Sequence, residues 1–381
     1  MATCQGVVGA LQYLIGRPET DYGEYDAGGA DVGIPVYDDG YTVRQTVEFS
    51  SQPFKVGRRG DVYRSRSKVM VGGQLVTGIF PTSLGSALLD YATAVDGTGC
   101  LTPWSFTWVT PGVETLRHRG CYVNQLTLAA SDGSPDLLFT ADIMGRSEEQ
   151  IAEPGLPSFP SPVAYQFQYG NFLGSLDAGV TYALFGTVDS FQLQIDNQLQ
   201  AGPHVFSPTS YNNLTKAFIN TGIQRINGNF VVQYANDDFS DALRDGVRGV
   251  LHLMFVHPTS TRTQVNFGAG YAAGSNVNMV VDSSAGFSVG DIVLFRTTDT
   301  TKVSCATVTV IPDGTHITVD VLDFAVADND YIYSKALELR VDAFDVLGAP
   351  VAGGLADDLK QTLNFEVADD GTGLPFSYKA L

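Results

Sequence analysis

The residue types that most often do chemistry are present but scattered. Five histidines occur, His118, His204, His252, His257 and His316. None lies in H-E-x-x-H or another close ligand spacing, so metal-activated water has no visible ligand set. His252 and His257 flank an apolar run and read as structural imidazoles. No G-x-S-x-G elbow raises a nucleophilic serine, and no P-loop cradles a phosphate. Gly97-Thr98-Gly99 and Gly268-Ala269-Gly270 are pieces of a dinucleotide fingerprint without the strand-to-helix context that seats a pyrophosphate. Asp237-Asp238, Asp357-Asp358 and Asp369-Asp370 sit in turn-like sequence and read as solvated turns or caps. An acid/base pair needs carboxylates opposed across a cleft. Cys4, Cys100, Cys121 and Cys305 are too far apart for a C-x₂-C site and read as reduced structural thiols. Arg59-Gly60-Asp61 reads as a chance tripeptide. No enzymatic activity, cofactor or metal site is expected.

One charge cluster stands out. Lys55, Arg58, Arg59, Arg64, Arg66 and Lys68 put six cations into fourteen residues of a chain with 22 Lys+Arg against 41 Asp+Glu, a net charge of −19. Such an acidic balance opposes an electrostatic grip on nucleic acid, which needs a basic surface to release counterions. The cluster is therefore expected either as a solvated hairpin tip or as a long loop docking on an acidic surface of another copy, where complementary charge fixes register.

The elements around these residues read as β structure. Apolar residues make up 44% of the chain and charged ones 17%, enough for a sizeable core. Val43, Gln45, Val47 and Phe49 alternate with Arg44, Thr46, Glu48 and Ser50. Phe191, Leu193 and Ile195 alternate with Gln192, Gln194 and Asp196, and Leu363, Phe365 and Val367 with Thr362, Asn364 and Glu366. Strands with one wet face produce this period of two. Helix signals are few: Thr82 or Ser83 caps a run through Ala87, Leu88 and Tyr91, and Asp237 or Asp238 one through Ala242, Leu243 and Val247. No stretch approaches 18 uninterrupted apolar residues, so no membrane insertion is expected. A signal peptide places its positive charge first, whereas the first basic residue here is Arg17, behind Val7–Ile15.

A repeat organises the chain. Gly73–Leu88 aligns without gaps on Gly228–Leu243, at an offset of 228 − 73 = 155 residues. Each copy reads as a strand, a capping turn and a short helix. The strand at 43–50 has a counterpart at 188–196. The pair 121–129 and 136–144 has one at 336–344 and 360–368. Ala152–Pro162, with four prolines, marks the join. The expected organisation is a first domain over 1–160 and a discontinuous second over 161–264 and 335–381. A small β module over 265–334, expected to face outward, is inserted in the second, with Gly268–Ser275 as its linker-like entry.

The strand-turn-helix units Gly73–Leu88 and Gly228–Leu243, the strand Gly120-Cys121-Tyr122-Val123-Asn124-Gln125-Leu126-Thr127-Leu128, and the strand Val188–Asn197 together resemble the tail tube (major tail) proteins of long, non-contractile-tailed bacteriophages. The resemblance covers both halves and departs at the insert. It implies a mostly β fold of two tandem β-sandwich domains with short flanking helices, the sheets closing between subunits into one barrel. It implies a structural virion protein without enzymatic activity, the conduit for genome ejection, assembled in the host cytoplasm. Single-copy members form sixfold rings, so a duplicated chain implies homotrimeric, pseudo-hexameric rings. Implied partners are further copies of the chain and the tape measure, tail terminator and tail-tip proteins, with DNA passing through unbound.

A channel that passes DNA must not hold it, so its lining should be negative or neutral polar. Glu48, Thr140, Asp142, Gln192, Gln194, Asp196, Asn364 and Glu366 are the candidate lining residues, and the basic cluster Lys55–Lys68 the candidate contact between subunits. Two other classes fit the composition. An acidic all-β carbohydrate-active enzyme would use Trp104 and Trp108 as sugar platforms across from paired carboxylates. A secreted adhesin or binding module would account for the insert.

Overall fold

The computed structural model describes residues 12–25, 31–37, 39–52, 63–94, 101–160, 163–175, 183–184, 187–202, 204–206, 214–216, 219–220, 222, 224–233, 241, 245–246, 248–352, 360–367 and 376–381, with the backbone alone at 47–52, 63–69, 183–184, 204–206, 214–216, 220 and 352. The first part of the chain forms β1 (Tyr13–Pro18), β2 (Val32–Ile34), β3 (Arg44–Gln52), β4 (Tyr63–Gly78), helix α1 (Ser83–Thr93), β5 (Trp104–Thr110), β6 (Glu114–Ser131), β7 (Ser134–Gly145) and β8 (Ser147–Gln150). After an irregular stretch over 151–160 come β9 (Gly170–Ser175), β10 (Ala183–Leu184) and β11 (Val188–Asp196). Four short strands follow, β12 (Gln200–Ala201), β13 (His204–Phe206), β14 (Leu214–Lys216) and β15 (Ile219–Asn220), then β16 (Arg225–Gln233) and β17 (Gly249–Val256). A block with β18 (Arg262–Gln264), β19 (Gly274–Val280), β20 (Ile292–Arg296), β21 (Val303–Asp313), β22 (His316–Leu322) and β23 (Tyr331–Tyr333) precedes β24 (Ala336–Gly348), β25 (Val351–Ala352), β26 (Lys360–Val367) and β27 (Phe376–Lys379).

The protein is mostly β, as its alternating runs require. Eight strands form one antiparallel array in the order β3-β4-β7-β6-β11-β16-β26-β24. Two shorter arrays cross it. One is β2-β1-β5-β6-β8 and the other β10-β9-β17-β24-β27. The long strands β6 and β24 belong to both layers. In β6 the change of layer falls at Gly120, whose φ of +59° lies in the left-handed region that glycine reaches at no steric cost. Residues up to Cys121 pair with β5, and those from Tyr122 onward pair with β7.

The two layers close over one apolar core. Leu75, Phe139, Ile143, Leu126, Leu128, Phe191, Leu193, Ile195, Phe230, Leu363 and Phe365 are all buried in it. Helix α1 adds Leu84, Leu88, Leu89, Tyr91 and Ala92. Thr82 stands at its N-cap as expected, but its side chain makes no capping hydrogen bond. The helix is held by packing instead. The second helix signal falls largely outside the described residues, although Asp241 and Asp245 carry helical backbone. Trp104 is buried against Tyr91 and Phe106, and Trp108 stacks on Tyr41, so both indoles serve the core rather than a sugar site.

The block between β17 and β24 forms its own six-stranded sheet, β18-β23-β20-β21-β22-β19, around a separate cluster that includes Met279, Phe295, Val308, Ile317 and Ile332. This sheet takes in Arg262–Gln264, ahead of the expected start at 265, because β18 pairs with β23. Gly268–Ser275 accordingly lies inside the block, with Tyr271 bridged to Val326 and Gly274 starting β19. The block is also fastened to its host. Ile292, Leu294, Val303 and Cys305 pack on Met254, Val256 and Ala336.

A polar sheet face and its two edges

Cross-strand partners in an antiparallel array share a face, so register alone assembles the candidate lining. Asp196 lies opposite Gln125, Gln125 opposite Asp142, and Asp142 opposite Gln74. One rung over, Gln194 lies opposite Thr127 and Thr127 opposite Thr140. On its other side Gln194 lies opposite Asn227 and Asn227 opposite Glu366. A third rung runs from Ala129 through Gln192 and Asn229 to Asn364. The intervening positions Phe139, Ala141, Phe191, Leu193, Ile195, Leu363 and Phe365 are buried on the opposite face. Seven of the eight candidates, Thr140, Asp142, Gln192, Gln194, Asp196, Asn364 and Glu366, thus stand together on one wet face. For Glu48 the backbone pairs with Lys68 at a register shift, and its side chain lies outside the described residues.

The wet face is hollowed rather than flat. A groove of about 390 Å³ runs over Gln192, Gln194, Asn227, Asn229, Asn364 and Glu366. Its polar groups are mostly uncharged amides. Among its charged groups Asp196 lies opposite Arg225. Asp345 sits directly opposite Glu366, a like-charge pair that Arg248 partly offsets with an ion pair of 3.5 Å to Asp345. Among the described residues no group of three or more His, Cys, Asp or Glu is placed to hold a metal ion. Cys121 and Cys305 are buried, which pushes both thiols up.

The basic cluster divides. Lys55, Arg58 and Arg59 lie outside the described residues, as do the Asp237-Asp238, Asp357-Asp358 and Asp369-Asp370 pairs. Arg64, Arg66 and Lys68 are on strand β4, opposite Ser51, Phe49 and Glu48, and not in a loop. Tyr63–Val69 has no apolar alternation to announce a strand, so its pairing with β3 was invisible in the sequence.

Several polar residues hold the array and were not singled out by the sequence. Asn197, buried at the end of β11, donates through Nδ2 to the Ala92 carbonyl (3.0 Å) and the Val123 carbonyl (2.9 Å), and accepts from Gln224 (2.8 Å). It ties the entry of the second half to helix α1 and the β6 bulge of the first. His118 is fully buried, with Nε2 2.9 Å from Glu148 and Nδ1 2.7 Å from the Tyr41 hydroxyl. Desolvation by burial lowers its pKa despite the carboxylate beside it. A neutral ring donating from Nε2 to Glu148 and accepting Tyr41 O–H at Nδ1 satisfies all three groups. Glu148 also accepts the backbone N–H of Gln45 at 2.9 Å, which joins edge strand β3 to this buried trio. His252 makes the comparable contact to Glu338 at 2.7 Å in the second half. His257 is fixed by the Val163 carbonyl and Thr259.

No curated protein matches the chain. A family model described as phage tail tube protein matches residues 9–367, almost its whole length. Through that match, and with a mostly β architecture that presents a continuous polar face, the chain belongs to the phage tail tube protein family and is a structural protein of the phage tail.

Proposed function

We propose that three copies of this chain close into a ring with pseudo-sixfold symmetry, that rings stack into the tail tube, and that the polar face of the eight-stranded array lines the channel through which the genome leaves. The single observation that carries this reading is the repeat of strand order. The array runs β3-β4-β7-β6 and then β11-β16-β26-β24. Register matches as well as order. Gly73 faces Ile143, and Gly228, 155 residues on, faces Phe365. Gln74 faces Asp142, and Asn229 faces Asn364. Two tandem tube units in one chain account for this, with the block 262–333 as an insertion into the second. A lining dominated by amides, hydroxyls and carboxylates, with Arg225 set opposite Asp196, offers phosphates little positive charge to hold them.

Lys55, Arg58, Arg59, Arg64, Arg66 and Lys68 belong in this reading at a contact between subunits or rings, away from the channel, where cations would hold phosphates. Tape measure, tail terminator and tail-tip proteins would be the further partners. Electron microscopy of the purified protein with symmetry analysis tests the proposal. Stacked rings of three chains support it, and six chains per ring or discrete monomers at high concentration overturn it.

A further inference from the structure

The chain contains one completed junction between its two halves, and two edges that match the parts of that junction. Inside the chain β6 meets β11 with Gln125 opposite Asp196, Leu126 opposite Ile195, Thr127 opposite Gln194, Leu128 opposite Leu193 and Ala129 opposite Gln192. Each partner has an equivalent elsewhere. Gln125 faces Asp142 as Gly348 faces Asn364, and Leu128 faces Phe139 as Val351 faces Gln361. The segment 348–352 is therefore the second half's version of the β6 edge. Ile195 faces Ile226 as Gln45 faces Val71, so residues 42–46 are the first half's version of the β11 edge.

Both edges carry signs of an unfinished junction. Leu128 is fully buried, whereas its equivalent Val351 is 44% exposed. Thr42 donates its N–H to the Gln74 carbonyl at 2.9 Å, toward β4, so the alternate residues Val43 and Gln45 point their backbone groups outward. Side chains of the same chain take those groups. Glu148 accepts the Gln45 N–H at 2.9 Å, and Arg44 Nη1 donates to the Val43 carbonyl at 3.1 Å. On the other edge Gln361 Nε2 donates to the Ala349 carbonyl at 3.2 Å. In the internal junction the equivalents of Ala349 and Gln45, Leu126 and Ile195, lie opposite each other. Native proteins blunt such edges to keep them from pairing at random.

Resting on the ring reading above, we propose that residues 348–352 of one copy pair with residues 42–46 of a second copy, Gly348 opposite Thr46 and Ala349 opposite Gln45, and that Glu148 and Gln361 cap these edges until they join. On joining, the Gln45 N–H passes from the Glu148 carboxylate to the Ala349 carbonyl of the neighbour, and Val351 is buried against Val43. The occupant is another copy of this chain, because only the β11-like edge reproduces the register that the β6-like edge already satisfies internally.

Paired cysteines test the register. Thr46 and Gly348 are equivalent to Asp196 and Gln125, a pair on the wet face with no ladder hydrogen bonds between them, the closer kind that a disulfide spans. Oxidised Thr46→Cys/Gly348→Cys should run as covalent dimers and trimers without reductant, and Arg44→Cys/Gly348→Cys, shifted by two residues, should not. The single-cysteine variants control for native thiols. Rings that form with three chains but cross-link only in the shifted pair, or in neither, overturn this register while leaving the ring proposal standing. Absence of rings overturns both.

The caps are tested separately. Leucine at 361 suits the core, where the equivalent residue is Phe139, and releases the Ala349 carbonyl. Gln361→Leu should lower the protein concentration at half-assembly by about fivefold, the worth of one competing hydrogen bond. Glu148→Ala should lower it as well, by releasing the Gln45 amide. A folded variant of either kind whose midpoint is unchanged or raised overturns the capping role.

Discussion

A β-carbon added to Gly73 would lie 2.5 Å from the Thr42 carbonyl oxygen, and one added to Gly228 would lie 2.7 Å from the Gln192 carbonyl oxygen. Thr42 and Gln192 hold equivalent places on β3 and β11, so both glycines answer the same constraint. The backbone of the preceding strand comes too close for any side chain. Replacing either with alanine forces two paired strands apart, and overpacking of this kind costs about 1–3 kcal/mol. Gly73→Ala and Gly228→Ala should each lose that much in urea unfolding. Gly133→Ala, where nothing lies within 4 Å of the added carbon, should lose far less.

The Tyr41–His118–Glu148 trio makes stability fall on acidification in two stages. Burial holds the His118 pKa below its ordinary 6.5, so below that pH the unfolded chain takes up a proton that the folded chain resists. The hydrogen bond from His118 is the main cause that holds Glu148 below the ordinary 4.5, so its contribution is present above 4.5 and lost as pH falls through the folded value. Both shifts act in the same direction. The unfolding midpoint should drop between about pH 7 and about pH 5, and His118→Gln, which keeps a donor for Glu148 but does not titrate, should flatten that limb. An equally steep decline in the variant would assign the effect to other groups.

Much of the array was legible because its strands have one wet face. Phe191, Leu193 and Ile195 declare the buried side of β11, and Gln192, Gln194 and Asp196 the polar side, by period alone. The proposed repeat rests on Gly73 and Gly228, whose identity is set by backbone approach rather than by local propensity. Strand order was not legible, because β6 meets β11 only after the chain has passed through β7, β8, β9 and β10. Nor was the double role of β6, which depends on a left-handed Gly120 between Arg119 and Cys121. Arg64, Arg66 and Lys68 hid a strand by lacking an apolar face. Asn197 and Glu148 escaped notice for another reason. A single amide or carboxylate acquires its role only from the distant backbone groups that fold around it.

The block 262–333 enters and leaves the large sheet at adjacent points. Val256 lies opposite Ala336, and the His257 N–H donates to the Lys335 carbonyl at 3.1 Å. Removing residues 261–334 and joining Ser260 to Lys335 should therefore leave rings and tubes intact. It should also lower the melting temperature, because Met254, Val256 and Ala336 lose the cover of Ile292, Leu294, Val303 and Cys305. Exposing a buried aliphatic side chain costs about 1.5–3 kcal/mol. Substituting Thr at Met254 in the shortened chain should recover solubility. Loss of tubes from a folded shortened chain would place the block in the assembly itself.

Reversing the basic cluster separates its two expected roles. Arg58→Glu, Arg59→Glu and Arg64→Glu together should prevent stacking of rings while each chain stays folded, as judged by an unchanged circular dichroism spectrum. In the native protein, raised salt should weaken the same contact, since charges at a rim are screened over about 10 Å at 0.1 M. Normal polymerisation of the triple variant at low salt would leave the cluster as a solvated turn and strand.

The lining itself is tested by adding positive charge to it. Gln192, Gln194 and Asn364 point from β11 and β26 into one groove, with Asn229 between two of them. Lysine at all three positions would leave the buried face untouched, since Phe191, Leu193, Leu363 and Phe365 keep their packing. Tubes should still form, because the new cations stand near Asp196 and Glu366 on the wet face, Gln192 and Gln194 lie on inner strand β11, and only Asn364, opposite Gly348, borders the 348–352 edge. In a ring of three chains they would add nine positive charges to one turn of the channel, and each contact with a phosphate releases a condensed counterion. Assembled variant tubes should then retain DNA at low salt and release it steeply as salt rises, while native tubes retain none. Phage carrying the variant should eject its genome more slowly. Equal ejection and no salt-dependent retention would mean that this face looks outward, and that the channel is lined by another part of the chain.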